Sequence, residues 1–167
     1  MNPDIEMIVL RILHIVSGSF WVGSAVFLSF ILEPRVRALG PAIQRPVMSS
    51  IGKVAGPIML GSGLITIVAG IVLAFRVRDF DHWFDTGWGW AIGLGFVCSV
   101  SAITLGSLTA MTVMKMAKAG ESMGDGPPTP EQMAEMQRLG GRLVRLSRVA
   151  TILVVIAVGS MASARFV

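Results

Sequence analysis

The sequence predicts an all-α protein, a membrane bundle of four transmembrane helices. Two observations carry that prediction. Apolar residues make up 53% of the 167 residues and charged residues only 14%, against about 25% in soluble domains. Four apolar runs also approach the roughly 20 residues that a helix needs to cross a hydrocarbon core about 30 Å thick. Residues 1–167 therefore read as one integral membrane domain, with helices near 7–33, 50–76, 86–116 and 143–165.

In the first helix, Ile12 to Leu32 carries no charge beyond His14. The run is too long for a signal-peptide core, and Asp4 and Glu6 precede it instead of a basic segment, so it reads as a mature helix. Glu33-Pro34 predicts its end, and Pro41 and Pro46 fall in the first connection. The second helix holds an uncharged stretch from Val54 to Phe75, with Pro57 early enough to cost little or to kink it. The third is uncharged from Thr86 to Met114. Residues 117–142 then form a connection: Gly124 to Pro130 is a loop, and Thr129, Pro130 and Gln132 have the pattern of a capped helix start. A short surface helix is expected from there to Gly140-Gly141. The fourth helix has its uncharged core at Val149 to Ala164 and extends further back if Arg145 and Arg148 snorkel to the headgroups.

The basic residues predict topology. The first and third connections with adjoining helix ends hold Arg35, Arg37, Arg45, Lys53, Lys115, Lys118, Arg138, Arg142, Arg145 and Arg148; the opposite side holds Arg11, Arg76, Arg78 and Arg165. Ten against four puts both large connections in the cytoplasm and both termini outside. The net charge of +4 is spread along the flanks of apolar runs, which points to a lipid bilayer as partner and to no nucleic acid. Trp83, Trp88 and Trp90 fall where an interfacial aromatic belt would lie.

Small residues predict how the helices associate, since lipid leaves close packing to do most of that work. Gly52, Gly56, Gly63 and Gly70 form one seam with Met59, Thr66 and Leu73 in the second helix. Gly95, Ser99, Ala102, Gly106 and Ala110 share a face of the third, with a further pair at Gly89 and Gly93, and Gly18, Ala25 and Ser29 share a stripe of the first.

Few residues suggest chemistry. His14 is the one histidine inside an apolar run, and an ionisable group at membrane depth is a functional candidate by default. Arg11, His14, Gly18, Trp21, Ala25 and Ser29 advance by three or four and share a face. His14 reads either as a neutral imidazole bonded to a carbonyl or hydroxyl, or as a ligand to haem iron or a metal. Arg11, one turn outward, either snorkels or neutralises a haem propionate or lipid headgroup. Trp21 joins them as a cofactor-binding candidate. Met161, at a depth similar to His14, would complete a His-Met pair for copper or haem iron. Met111, Met114, Met116, Met123, Met133 and Met136 gather around the end of the third helix without a chelating spacing, and gap-filling accounts for them. The segment Asp79 to Asp85 offers three carboxylates and His82; it reads as an interfacial turn or a weak divalent-cation site.

Other chemistries are disfavoured. No Asp or Glu lies inside an apolar run, which argues against a proton-coupled antiporter. The single cysteine, Cys98, allows neither an intrachain disulfide nor a Cys-x-x-Cys motif. Two histidines on separate membrane helices are lacking, so a bis-histidine haem within one chain is not expected.

The stretch Leu10 to Pro34, with Leu13-His14, Trp21-Val22-Gly23 and the basic exit at Arg35, resembles the opening helix of a superfamily of small bacterial membrane proteins. That superfamily includes CopD-like copper-resistance domains, HemJ-type protoporphyrinogen oxidases and an uncharacterised branch. Gly56-Pro57 through Gly70 resembles its second helix, and Arg145 to Arg165 resembles the ending of the uncharacterised branch. The resemblance implies a four-helix bundle in the bacterial cytoplasmic (inner) membrane, with His14 at the position associated with haem b or, in the CopD-like members, with copper handling. HemJ-type enzymes carry a lysine early in the third helix; Thr86 to Ile92 has none here, which argues against oxidase activity. The leading expectation is thus a protein that binds haem b or copper through His14 for electron transfer or haem or copper handling, as a homo-oligomer or in a larger membrane complex. A cofactor-free accessory subunit and a protoporphyrinogen-oxidase-like enzyme are the alternatives.

Overall fold

The computed structural model describes residues 3–77, 80–121 and 129–167. Among them the chain is helical almost throughout: α1 (Pro3–Val26), a π-helical segment (Phe27–Leu32), α2 (Glu33–Ala38), α3 (Pro41–Val77), a 3-10 turn (Phe80–Asp85), α4 (Gly87–Glu121) and α5 (Pro130–Ser163), closed by a 3-10 turn at Ala164–Phe166. The π-helical segment and α2 continue α1, so four long rods result. Each contains a stretch long and apolar enough to cross a membrane. The fold is the expected all-α four-helix bundle of membrane-span type.

Side-chain exposure matches a lipid solvent. Ile12, Val16, Val68, Val97 and Val155 are all exposed on the outside of the rods. The interior is small, with Trp21, Ala25, Ala102 and Val154 at its centre and Met59, Ile67 and Ile103 packed against them. α1 packs chiefly on α3, and α4 chiefly on α5.

The rods run further than the sequence suggests. Pro34 was expected to end the first helix, yet helix persists to Ala38. The chain widens first: Phe27–Leu32 is π-helical, and the Glu33 N–H bonds the Leu28 carbonyl. Proline lacks an N–H and its ring crowds the carbonyl four residues back. A wider turn just before it relieves that crowding without stopping the helix. The first connection, expected to hold Pro41 and Pro46, shrinks to Leu39 and Gly40. Gly40 has φ +88, a left-handed conformation that favours glycine. Pro41 then opens α3, and Pro46 and Pro57 lie inside it.

The short surface helix after Thr129 is likewise not separate. Its cap is as expected: the Thr129 hydroxyl accepts from the Gln132 N–H at 3.3 Å, and the Gln132 side chain accepts from the Thr129 N–H at 2.9 Å. The helix then continues through Gly140-Gly141 to Ser163. Two glycines cost a helix only about 1 kcal/mol each relative to alanine, and Leu139 beside them is 5% exposed. At 1.5 Å per residue, rods of this length exceed a hydrocarbon core by roughly 20 Å. The basic residues of the two large connections therefore stand mostly on helical extensions. The Gly124 to Pro128 part of the expected loop, Asp79 and the His82 side chain lie outside the described residues, as does the cation reading of that turn. Nearby, Trp83 is buried against Trp88, with ring centroids 5.1 Å apart. A Cβ on Gly89 would collide with the Trp83 carbonyl.

Candidate functional site: an imidazole in a glycine notch

The α1–α3 seam is built from side chains set into notches. Gly70 leaves room for the His14 ring: a Cβ there would lie 2.7 Å from His14 Cε1 and 2.9 Å from Nδ1. One turn inward the roles reverse, and Gly18 faces Thr66, whose Cγ2 would be 3.2 Å from an added Cβ. A turn further, Trp21 lies on Gly63, where a Cβ would be 3.0 Å from the indole and 3.2 Å from Ile103 Cδ1. Each step of three or four along α1 is matched by an equal step back along α3, as antiparallel helices in close contact require.

His14 is half-buried at this seam, and its Nδ1 lies 2.8 Å from the Thr66 backbone carbonyl. A carbonyl only accepts, so Nδ1 carries the proton and donates. In the neutral ring the lone pair then sits on Nε2. Among the described residues Nε2 has no hydrogen-bond partner. The same pattern orients a ligating histidine: one ring nitrogen tied to a carbonyl, the other left to bind. Thr66 is itself fixed, its hydroxyl donating to the Ser62 carbonyl at 2.7 Å.

The other sequence candidates separate. Arg11 is exposed and, among the described residues, makes no ion pair; one turn further out, Arg76 of α3 pairs with Glu6 of α1 at 2.7 Å. Trp21 is 7% exposed and belongs to the packed centre of the bundle. Met161 lies in the α4–α5 seam, where its Cγ and Cε fill the space beside Gly95. His14 and Met161 are thus committed to different seams. Among the described residues no group of three or more His, Cys, Asp and Glu could hold a metal ion.

Sequence reasoning missed a second polar feature. Ser29, at 3% exposed and inside the π-helical segment, lies 2.8 Å from both the Ser147 and the Thr151 hydroxyls of α5. Thr151 donates to the Ser147 carbonyl at 2.9 Å and approaches the Ala25 carbonyl at 3.3 Å. Hydroxyls are too common in membrane helices for the sequence to single these out. The cluster is internally satisfied and ties the first rod to the fourth.

No protein-family model, no curated protein and no solved structure matches the chain.

Proposed function

We propose that this chain is a multi-pass protein of the bacterial cytoplasmic membrane that holds haem b through His14 and serves electron transfer or haem handling. The observation that supports the reading is the orientation of His14. Its Nδ1–H is tied to the Thr66 carbonyl, and its Nε2, inside an apolar span, has no partner among the described residues. Haem needs one such imidazole per axial position, whereas copper needs several donors gathered together. The separation of Met161 from His14 therefore favours haem over a copper site within one chain. Arg11, exposed one turn outward, is suited to neutralise a propionate, while Trp21 secures the seam beneath. Bound haem would supply one-electron redox chemistry; this chain would set its axial ligand, its apolar surroundings and its distance from water. The ten basic residues at one end support an orientation with that end in the cytoplasm and both termini outside.

The test is an absorption spectrum of detergent-purified protein, oxidised and reduced. A Soret band lost in His14→Ala and kept in Met161→Leu is expected. A colourless protein that stays colourless after reconstitution with hemin would overturn the proposal.

One observation favours a second reading, an accessory subunit without a cofactor. A Cβ added at Gly23, Gly52, Gly56, Gly106 or Gly159 meets nothing within 4 Å. Such open small-residue positions suit partner helices or further copies of the chain. Co-purification with a stoichiometric partner, unchanged in His14→Ala, would support it against the first.

A further inference from the structure

We propose that Arg142 and Arg145 form a binding site for an anionic phospholipid, whose acyl chain lies in the groove between α4 and α5. The groove encloses about 270 Å³ and is lined by Leu105 of α4 and by Arg142, Arg145, Leu146 and Val149 of α5. It therefore has an apolar floor and two guanidinium groups at one end, which is the chemistry of a lipid with a charged head.

Depth supports this assignment. Val149 opens the uncharged run of α5, so it marks the edge of the hydrocarbon. Arg145 stands about 6 Å beyond it along the helix axis and Arg142 about 10 Å. The headgroup layer on each face is roughly 5–8 Å deep. Arg145 lies within that layer and Arg142 at its outer edge, both within side-chain reach of a phosphate.

Electrostatics points the same way. Arginine forks bind phosphate oxygens in pairs, and no carboxylate among the described residues competes for these two arginines. Among the described residues neither makes an ion pair or hydrogen bond. Glu135, two turns away on the same helix, is held by Arg138 at 2.8 and 2.9 Å. Arg142 and Arg145 are three residues apart and so are neighbours on the helix surface. An acyl chain along Leu105, Leu146 and Val149 would cover apolar surface that the two helices leave open. A soluble phosphate would gain only the arginines, while a lipid gains both parts of the groove.

The experiment uses the full chain in nanodiscs of mixed phosphatidylglycerol and phosphatidylcholine, with native mass spectrometry of the lipids retained. Each juxtamembrane arginine favours an anionic lipid roughly fivefold, so the wild type should enrich phosphatidylglycerol about thirtyfold. Arg142→Gln/Arg145→Gln should fall towards parity, and Arg165→Gln, at the other end of the bundle, should match the wild type. Equal retention of the two lipids by the wild type would overturn the proposal without relying on any variant. Undiminished enrichment in the double variant would do the same. If millimolar inorganic phosphate raises the melting temperature in neutral detergent as much as phosphatidylglycerol does, the site takes a free anion and the lipid assignment fails.

Discussion

The two seams of the bundle solve the same packing problem differently. Between α1 and α3, rigid or branched groups occupy the glycine notches: an imidazole on Gly70, a threonine on Gly18, an indole on Gly63. Between α4 and α5 the space beside Gly95 is taken by the thioether chain of Met161, with the Ala157 carbonyl near it, and the Ser160 hydroxyl donates to the Ala91 carbonyl at 2.6 Å. A ring has one orientation in its notch and fixes register, whereas a methionine adapts to the space it is given. The seams also differ in extent. Past Met59, α1 and α3 part over a groove of about 470 Å³ lined in part by Ser24, Phe27, Leu28 and Ser50. On the fourth rod and its neighbour, burial continues to Thr112 and Leu139 at the basic end. Rigid notches thus give a short, strictly registered seam that presents a histidine, and adaptable packing gives a long one.

The most demanding test substitutes the matching glycines. Gly70→Ala drives a Cβ into the His14 ring, which can move only by giving up the Thr66 carbonyl. A loss of about 2–3 kcal/mol is expected, in the range of overpacked cores. Gly95→Ala meets Met161 Cγ at 2.7 Å, with the Ala157 carbonyl at 3.3 Å. The thioether must take another rotamer but breaks no hydrogen bond, and a smaller loss of about 1–2 kcal/mol is expected. Unfolding of both variants in mixed micelles, followed by circular dichroism, makes the comparison direct. Equal losses would show that rigidity of the notch filler is irrelevant.

A middle-sized effect tests what replaces the seam where α1 and α3 part. The Ser29 hydroxyl bonds the fourth rod at that level, so Ser29→Ala should destabilise by about 1 kcal/mol, the usual scale for interhelical hydroxyl bonds in membranes. Ser29→Thr keeps a hydroxyl and should recover part of that loss. No change in Ser29→Ala would mean that apolar packing alone holds the first rod to the fourth.

Legibility followed the same division. The four spans were readable because hydrocarbon imposes a length and an apolarity that few other folds require, and the Thr129 cap was readable because it is a local code. The helix ends were not. Pro34 carries a stop signal that the wider turn at Phe27–Leu32 absorbs, and Gly140-Gly141 weakens a helix that burial of Leu139 helps to hold. His14 stood out as an ionisable residue in an apolar run, but its partner is the Thr66 backbone carbonyl, a group that every residue possesses. The seven-residue glycine repeat of α3 was a true seam at Gly63 and Gly70 and was open at Gly56. Its mate in the antiparallel register, Leu28, lies in the π-helical segment, where a regular 3.6-residue stripe no longer describes which way α1 faces. Ser29, placed by periodicity on a stripe with Gly18 and Ala25, bonds α5, whose Thr151 hydroxyl also approaches the Ala25 carbonyl one turn earlier.

The smallest effect concerns how far the long seam reaches, because the first turns of α5 extend beyond the apolar spans and depend on local interactions. Hydrogen bonds from its own backbone N–H and from the Thr129 hydroxyl hold the Glu131 carboxyl below the ordinary carboxylate range, and the Arg138 guanidinium does the same for Glu135. Both carboxyls are depressed relative to an ordinary value of 4.5. Their stabilisation is therefore complete above that value and is lost as pH falls through the depressed values. Negative charge at a helix N-terminus is also favourable in its own right. Amide hydrogen-exchange protection of residues 130–138 should weaken on acidification while that of residues 149–163 holds, and Glu135→Gln should reduce the pH dependence. If protection in the first turns is independent of pH, packing of the seam rather than the cap and its carboxylates determines where α5 begins.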